Sequence, residues 1–141
     1  MAKRSTKEGN RKTREYQVFL SHATADKWLA KTLCEKIEET GATTFRDDRD
    51  IAGGDDIPDE IRKNISQSRE LLVLLSPESV DRPWVLLEVG AAWGRKISRI
   101  VAILCHVRID AIPSMLSSKK AIPLNEFDQY IAELSKRVKG S

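Results

Sequence analysis

Five aliphatic side chains, Leu71 to Leu75, follow one another without a break, and a second apolar block starts at Pro83. A short apolar run bounded by turn residues reads as a strand buried on both faces, the habit of parallel sheets. The second block, Pro83 to Gly94, holds Trp84, Val85, Leu86, Leu87, Val89, two alanines, Trp93 and two glycines, and its one ionisable side chain is Glu88. Proline suits the first turn of a helix, and a helix apolar on every side belongs in an interior. A carboxylate there must be paired, hydrogen-bonded or functional. Trp84 precedes Glu88 by one helical turn, so both project from one face. An aromatic plane beside a partly desolvated carboxylate suits a sugar or a flat ring; the alternative is that Glu88 caps a helix or bridges to Arg82 or Arg95.

Upstream of this block, Tyr16 to Leu20 reads as a first strand, with Ser21-His22-Ala23-Thr24 as the loop leaving it. Apolar residues at helical spacing, Trp28, Leu29, Leu33 and Ile37, predict a helix from about Ala25 to Thr40 with Trp28 in the core, and Gly41 stands where helices stop. Ala42 to Arg46 is a short, β-branched and aromatic second strand. Next comes DDRDIAGGDD, five aspartates around Gly53-Gly54, which reads as a long mobile loop. Asp48, Asp50 and Gly53 have the opening spacing of a calcium loop. Ala52 and Asp59 then stand where a ligand and a bidentate glutamate are required, so no metal site is expected. Asp55 or Asp56 caps the following helix, with Pro58 in its first turn and Ile57, Ile61 and Ile65 as its apolar stripe. The third strand is Glu70–Leu75 and the fourth is Arg99–Leu104. Cys105 to Ser118 leaves room for a loop and one turn of helix, Ala121-Ile122-Pro123 for a short edge strand. Asn125 caps a last helix whose stripe is Phe127, Tyr130, Ile131, Leu134 and Val138.

Charge narrows the function classes. Residues 1–15 carry six Lys/Arg against two Glu, a balance of +4, while the remainder holds 18 basic and 19 acidic residues. A near-neutral body argues against a nucleic-acid groove, and the basic, aperiodic segment 1–15 is expected to be a disordered arm. No apolar run is long enough to span a membrane, and no apolar signal core opens the chain. Two isolated cysteines, Cys34 and Cys105, point to a reduced, cytoplasmic protein rather than a disulfide framework.

Strand and helix alternate about five times, the pattern of an α/β fold with a parallel sheet and helices on both faces. The loops leaving the strands then share one edge, where such folds bind ligands. Ser21–Thr24, Asp47–Asp56 and the segment carrying Trp84 and Glu88 all lie on it. A dinucleotide fingerprint, a P-loop lysine and a serine elbow are absent from the sequence, and the third strand does not end in the aspartate of a phosphoacceptor receiver.

Three stretches in order carry a resemblance. YQVFLSHATADKWLAKTL, FRDDRDIAGGDDIPDEI and LLVLLSPESVDRPWVLLEVGAAW resemble the first box, the second box with its mobile loop, and the Trp-x-x-x-Glu segment of NAD-cleaving Toll/interleukin-1 receptor (TIR) domains. The single-domain form is similar to microbial members, and the short Cys105–Ser118 connection departs from the family, which usually has a helix there. The resemblance implies a flavodoxin-like doubly wound sheet over residues 16–139, with the helix after strand four shortened. It also implies cleavage of the nicotinamide–ribose bond of NAD+, with NAD+ as substrate, no cofactor and no metal, in defence or effector signalling. Glu88 would be the catalytic carboxylate and Trp84 a stacking plane. Phe45 would form a second wall or simply belong to the core. Ser21 and His22 would be polar contacts, with a helix cap as the alternative for Ser21, and Asp47 a contact or a turn anchor. Self-association through the Asp47–Asp56 loop is implied as well. Two other readings stay open: a non-catalytic TIR adaptor, and an enzyme like the nucleoside deoxyribosyltransferases.

Overall fold

The computed structural model describes residues 16–46, 58–79, 90, 97–111 and 120–141. Five strands form one sheet: β1 (Gln17–Ser21), β2 (Thr43–Arg46), β3 (Glu70–Leu75), β4 (Arg99–Leu104) and β5 (Lys120–Pro123). Their spatial order is β2-β1-β3-β4-β5, and every neighbouring pair is parallel. Three α-helices are described, α1 (Lys27–Glu38), α2 (Asp59–Gln67) and α3 (Phe127–Lys139). This is the flavodoxin-like strand order expected of the sequence.

The central strand explains the two layers. All six residues of β3 are buried, and alternation sends them to opposite faces. Leu72 and Leu74 join Ala30, Leu33, Cys34 and Ile37 of α1 and Phe127, Tyr130 and Leu134 of α3. Leu71, Val73 and Leu75 meet Ile61 and Ile65 of α2 on the other face, together with Phe19, Ala102 and Leu104. Each such leucine removed from water contributes about 1.5–3 kcal/mol, so truncations in β3 are costly. Gly41, at φ +99°, turns the chain out of α1 as expected, in a conformation that favours glycine. Pro123 ends β5 on the sheet edge, where its missing N–H breaks no ladder.

Several local expectations are corrected. Trp28 is 77% exposed: α1 buries the side bearing Ile37, and at about 100° per residue Trp28 lies on the opposite side. The turn before α1 is a 3-10 helix, Thr24–Asp26, so the α-helix starts at Lys27 rather than Ala25. Pro58 precedes the first turn of α2, its carbonyl accepting from the N–H groups of Ile61 and Arg62 at 3.0 and 3.2 Å. Asn125 does not cap α3; Leu124–Glu126 forms a 3-10 turn and Glu126 takes the cap position. Between β4 and β5 the described residues hold a single 3-10 turn, Ile109–Ala111. The arm at 1–15, the loop 47–57 and the segment 112–119 lie outside the described residues, as does Ile57.

One buried charge had no warning in the apolar pattern. Glu70 opens β3 at the amino edge of the sheet with no solvent exposure. Arg137 donates to it from Nε at 2.7 Å and from an Nη at 3.1 Å, Tyr130 donates its hydroxyl at 2.7 Å, and Tyr16 donates through a short bond. Burial alone would raise the Glu70 carboxyl, but the bonds from Arg137, Tyr16 and Tyr130 outweigh it and hold the group below the ordinary carboxylate value. The same burial, with the Glu70 charge, pushes both tyrosines upward. The cluster ties β3 to α3 and to the residue preceding β1.

Candidate active site

At the opposite, carboxyl edge the strand order opens a crevice. The connection from β1 to β2 runs over the face of α1, whereas Gly90, between β3 and β4, packs on the face of Leu71. The exits of β1 and β3 therefore diverge to opposite sides, and the space between them is the switch point at which such sheets bind ligands.

Short polar bonds shape both walls. Ser21 is the last residue of β1, in register with Val73, and is buried with His22 and Ala23 behind it. Ala23 is extended and leads into the 3-10 turn ending at Asp26. On the β3 side, Ser76 donates its hydroxyl to Asp26 Oδ2 at 2.5 Å and accepts the Glu78 N–H at 3.2 Å. The Ser79 hydroxyl donates to the Leu74 carbonyl at 3.0 Å and accepts the Ser76 N–H at 2.9 Å. The β4 exit follows: Cys105 donates its N–H to the Leu75 carbonyl at 2.8 Å. Burial and the Asp26 charge raise the Cys105 thiol above its ordinary value, which keeps it protonated and a poor nucleophile. His106 then takes φ +59°, an uncommon left-handed conformation for a residue with a side chain. Beyond it lies a cleft of about 490 Å³ between the ends of β4 and β5, lined by Cys105, His106, Arg108 and Asn125 among others.

The structure brings Ser21 and His22 to the crevice. Neither 3-10 turn nor α1 uses Ser21 as a side-chain cap. Phe45 pairs in register with Phe19, ring centroids 5.3 Å apart at 37°, and packs on the core layer of α2. Its core role is therefore real, and it sits one residue from the carboxyl end of β2. Asp47, Trp84 and Glu88 lie outside the described residues. Gly90, two positions beyond Glu88, is helical and buried, and a Cβ added there would come within 3.0 Å of Leu71 Cδ2. Sequence reading missed Asp26, Ser76 and Ser79. The serine pair three residues apart after a strand hints at a turn, but nothing local announces that Asp26 meets Ser76 across 50 positions. Among the described residues, no group of His, Cys, Asp and Glu converges to hold a metal ion, and no helix is long and apolar enough to cross a membrane.

A family model described as TIR domain matches residues 18–136. The chain is similar to the 2' cyclic ADP-D-ribose synthase BtTIR of Bacteroides thetaiotaomicron, 27% identical over 101 residues, which is 71% of this chain and 35% of that protein. It is also similar to the NAD(+) hydrolase TcpA of Theionarchaea archaeon (strain DG-70-1), 23% identical over 131 residues, covering 88% of this chain and 40% of the relative. It thus spans well under half the length of either. In fold it matches a metazoan TIR-STING receptor from C. gigas at a TM-score of 0.63 and 24% identity, over 85% of this chain and 39% of the receptor.

Proposed function

The chain belongs to the TIR domain family, and from that membership we propose that it cleaves the nicotinamide–ribose bond of NAD+, releasing nicotinamide and linear or cyclic ADP-ribose. The observation that carries this reading is the Trp84-to-Glu88 pair, set in the segment that follows β3, in a chain whose microbial relatives are named for NAD+ hydrolysis or cyclic ADP-ribose synthesis. Nicotinamide is cationic in NAD+ and departs neutral, so bond breaking needs no general acid. The positive charge that remains spreads over the ribose as an oxocarbenium-like state, and a fixed carboxylate stabilises it. Glu88 is assigned that role, Trp84 stacks on a substrate ring, and Ser21 and His22 supply polar contacts from the β1 exit. Phe45 contributes an apolar wall in addition to its contact with Phe19, and Asp47 anchors or lines the mouth of the Asp47–Asp56 loop.

The test is concentrated protein with NAD+, followed by chromatography for nicotinamide. Glu88→Gln keeps shape and hydrogen bonding while removing charge; release is expected to fall at least about a hundredfold in a folded protein. Near wild-type turnover by Glu88→Gln would remove the catalytic assignment. Self-association through the Asp47–Asp56 loop belongs to the same proposal, and specific activity should then climb with protein concentration. Constant turnover per molecule across a dilution series of a monomer contradicts it. A wild type that ignores NAD+ but frees bases from deoxynucleosides favours the deoxyribosyltransferase-like reading, and one inert to both favours the adaptor.

A further inference from the structure

We propose that the Asp26–Ser76 hydrogen bond is a positioning contact for the reaction above, setting the chain's departure from β3 toward Glu88 relative to the β1 exit that bears Ser21 and His22. The inference rests on that functional reading and adds two residues to it.

Ser76 is almost fully sealed from solvent, and its hydroxyl both donates to Asp26 Oδ2 and accepts the Glu78 N–H. Ser79, equally buried, bonds back to the Leu74 carbonyl and to the Ser76 N–H. These Ser79 bonds hold the loop to its own strand. The bond to Asp26 differs, because it crosses the switch crevice and joins the β3 exit to the turn that follows Ser21 and His22. Asp26 also stands close enough to Cys105, at the β4 exit, for its charge to act on that thiol. Farther along, Gly90 is seated against Leu71. Trp84 and Glu88 lie in the sequence between these two packed residues, Ser79 and Gly90. A charge-stabilised transition state responds steeply to distance, and a displacement of about 1 Å in a reacting geometry costs about a hundredfold in rate. A neutral serine donating to a charged acceptor is among the stronger single bonds available for such a task.

The experiment measures steady-state nicotinamide release by wild type, Glu88→Gln, Ser76→Ala, Asp26→Ala, Asp26→Asn and the Ser76→Ala/Asp26→Ala double variant, all assayed well below their thermal midpoints. Expected results are a fall in kcat of about ten- to a hundredfold for either alanine variant, KM within about threefold, and a double variant no worse than the poorer single. Simple loss of stability would not produce that kcat-selective, non-additive pattern in folded protein. Should Ser76→Ala fail to fold, Asp26→Asn at the half-buried end carries the same test with an expected loss of about tenfold. Folded single variants with kcat within about twofold of wild type, or losses that multiply in the double, overturn the positioning role. If wild type is active, Glu88→Gln is inactive and Ser76→Ala is unimpaired, the functional reading stands and only this inference falls. A wild type that releases no nicotinamide removes both.

Discussion

At the amino edge of the sheet Glu70 is sealed from solvent and receives four hydrogen bonds from three side chains. At the carboxyl edge Asp26 is half-buried and takes the hydroxyl of Ser76. Burying an ion costs several kcal/mol, and only full compensation makes it tolerable. The amino edge meets that condition and becomes a fixture, with the charge spent on holding α3 to β3. At the carboxyl edge the polar groups instead tether the strand exits, Ser76 to Asp26 and Ser79 to the Leu74 carbonyl. One sheet therefore uses carboxylates in two ways, and the surroundings of each, rather than the residue type, decide which.

The contrast is broken most forcefully at Arg137. Arg137→Ala leaves Glu70 buried with its tyrosines but without a countercharge, and should cost about 3–5 kcal/mol of stability, read as a lowered urea midpoint at neutral pH. A loss below about 1 kcal/mol would mean the cluster behaves as a surface ion pair, and the distinction between the edges would collapse.

Acid sharpens the comparison. Glu70 titrates below its ordinary value in the folded protein, so the unfolded chain takes up the proton more readily. The cluster's contribution is fully present above about pH 4.3, the unperturbed glutamate value, and disappears as pH falls through the lower folded-state value. Tyr16 and Tyr130 are neutral throughout that window, their pKa values having moved upward. Unfolding free energies followed from pH 7 downward should drop more steeply for wild type than for Glu70→Gln. Parallel curves would show that Glu70 is not an important proton-linked group.

The smallest effect is expected at Gly90. Gly90→Ala sets a methyl at 3.0 Å from Leu71 Cδ2 in a filled core, an overpacking cost of about 1–3 kcal/mol. Because Gly90 lies two residues beyond Glu88, turnover should decline in the folded variant as well. Unchanged stability and turnover would show that this seat is loose.

The parts of the fold readable from sequence are those in which a residue's own identity settles its surroundings. Leu71–Leu75 and Arg99–Leu104 appear as strands at the expected residues because continuous aliphatic runs admit few alternatives. Ile61 and Ile65, a turn apart, are both buried as their spacing implies. Trp28 misled because spacing ranks apolar residues without saying which side of a helix meets the sheet. Asn125 misled because a 3-10 turn intervened before α3. Glu70 was visible only as a charge at the head of a strand; its partners Tyr16, Tyr130 and Arg137 stand 54, 60 and 67 positions away. The site divides in the same way. The edge shared by Ser21 and His22 followed from topology, whereas the meeting of Asp26 with Ser76 depends on the twist and register of neighbouring strands, which periodicity does not encode.

The bond between Glu70 and Arg137 has a consequence in time. The 67 positions separating them take roughly 3–13 s to synthesise at about 5–20 residues per second. Throughout that interval the Glu70 carboxylate lacks the Arg137 countercharge. Burying the head of β3 without that countercharge would cost several kcal/mol, so full closure of this end of the sheet is expected to follow the arrival of α3. Docking of α3 is thereby coupled to burial of the first residue of the central strand.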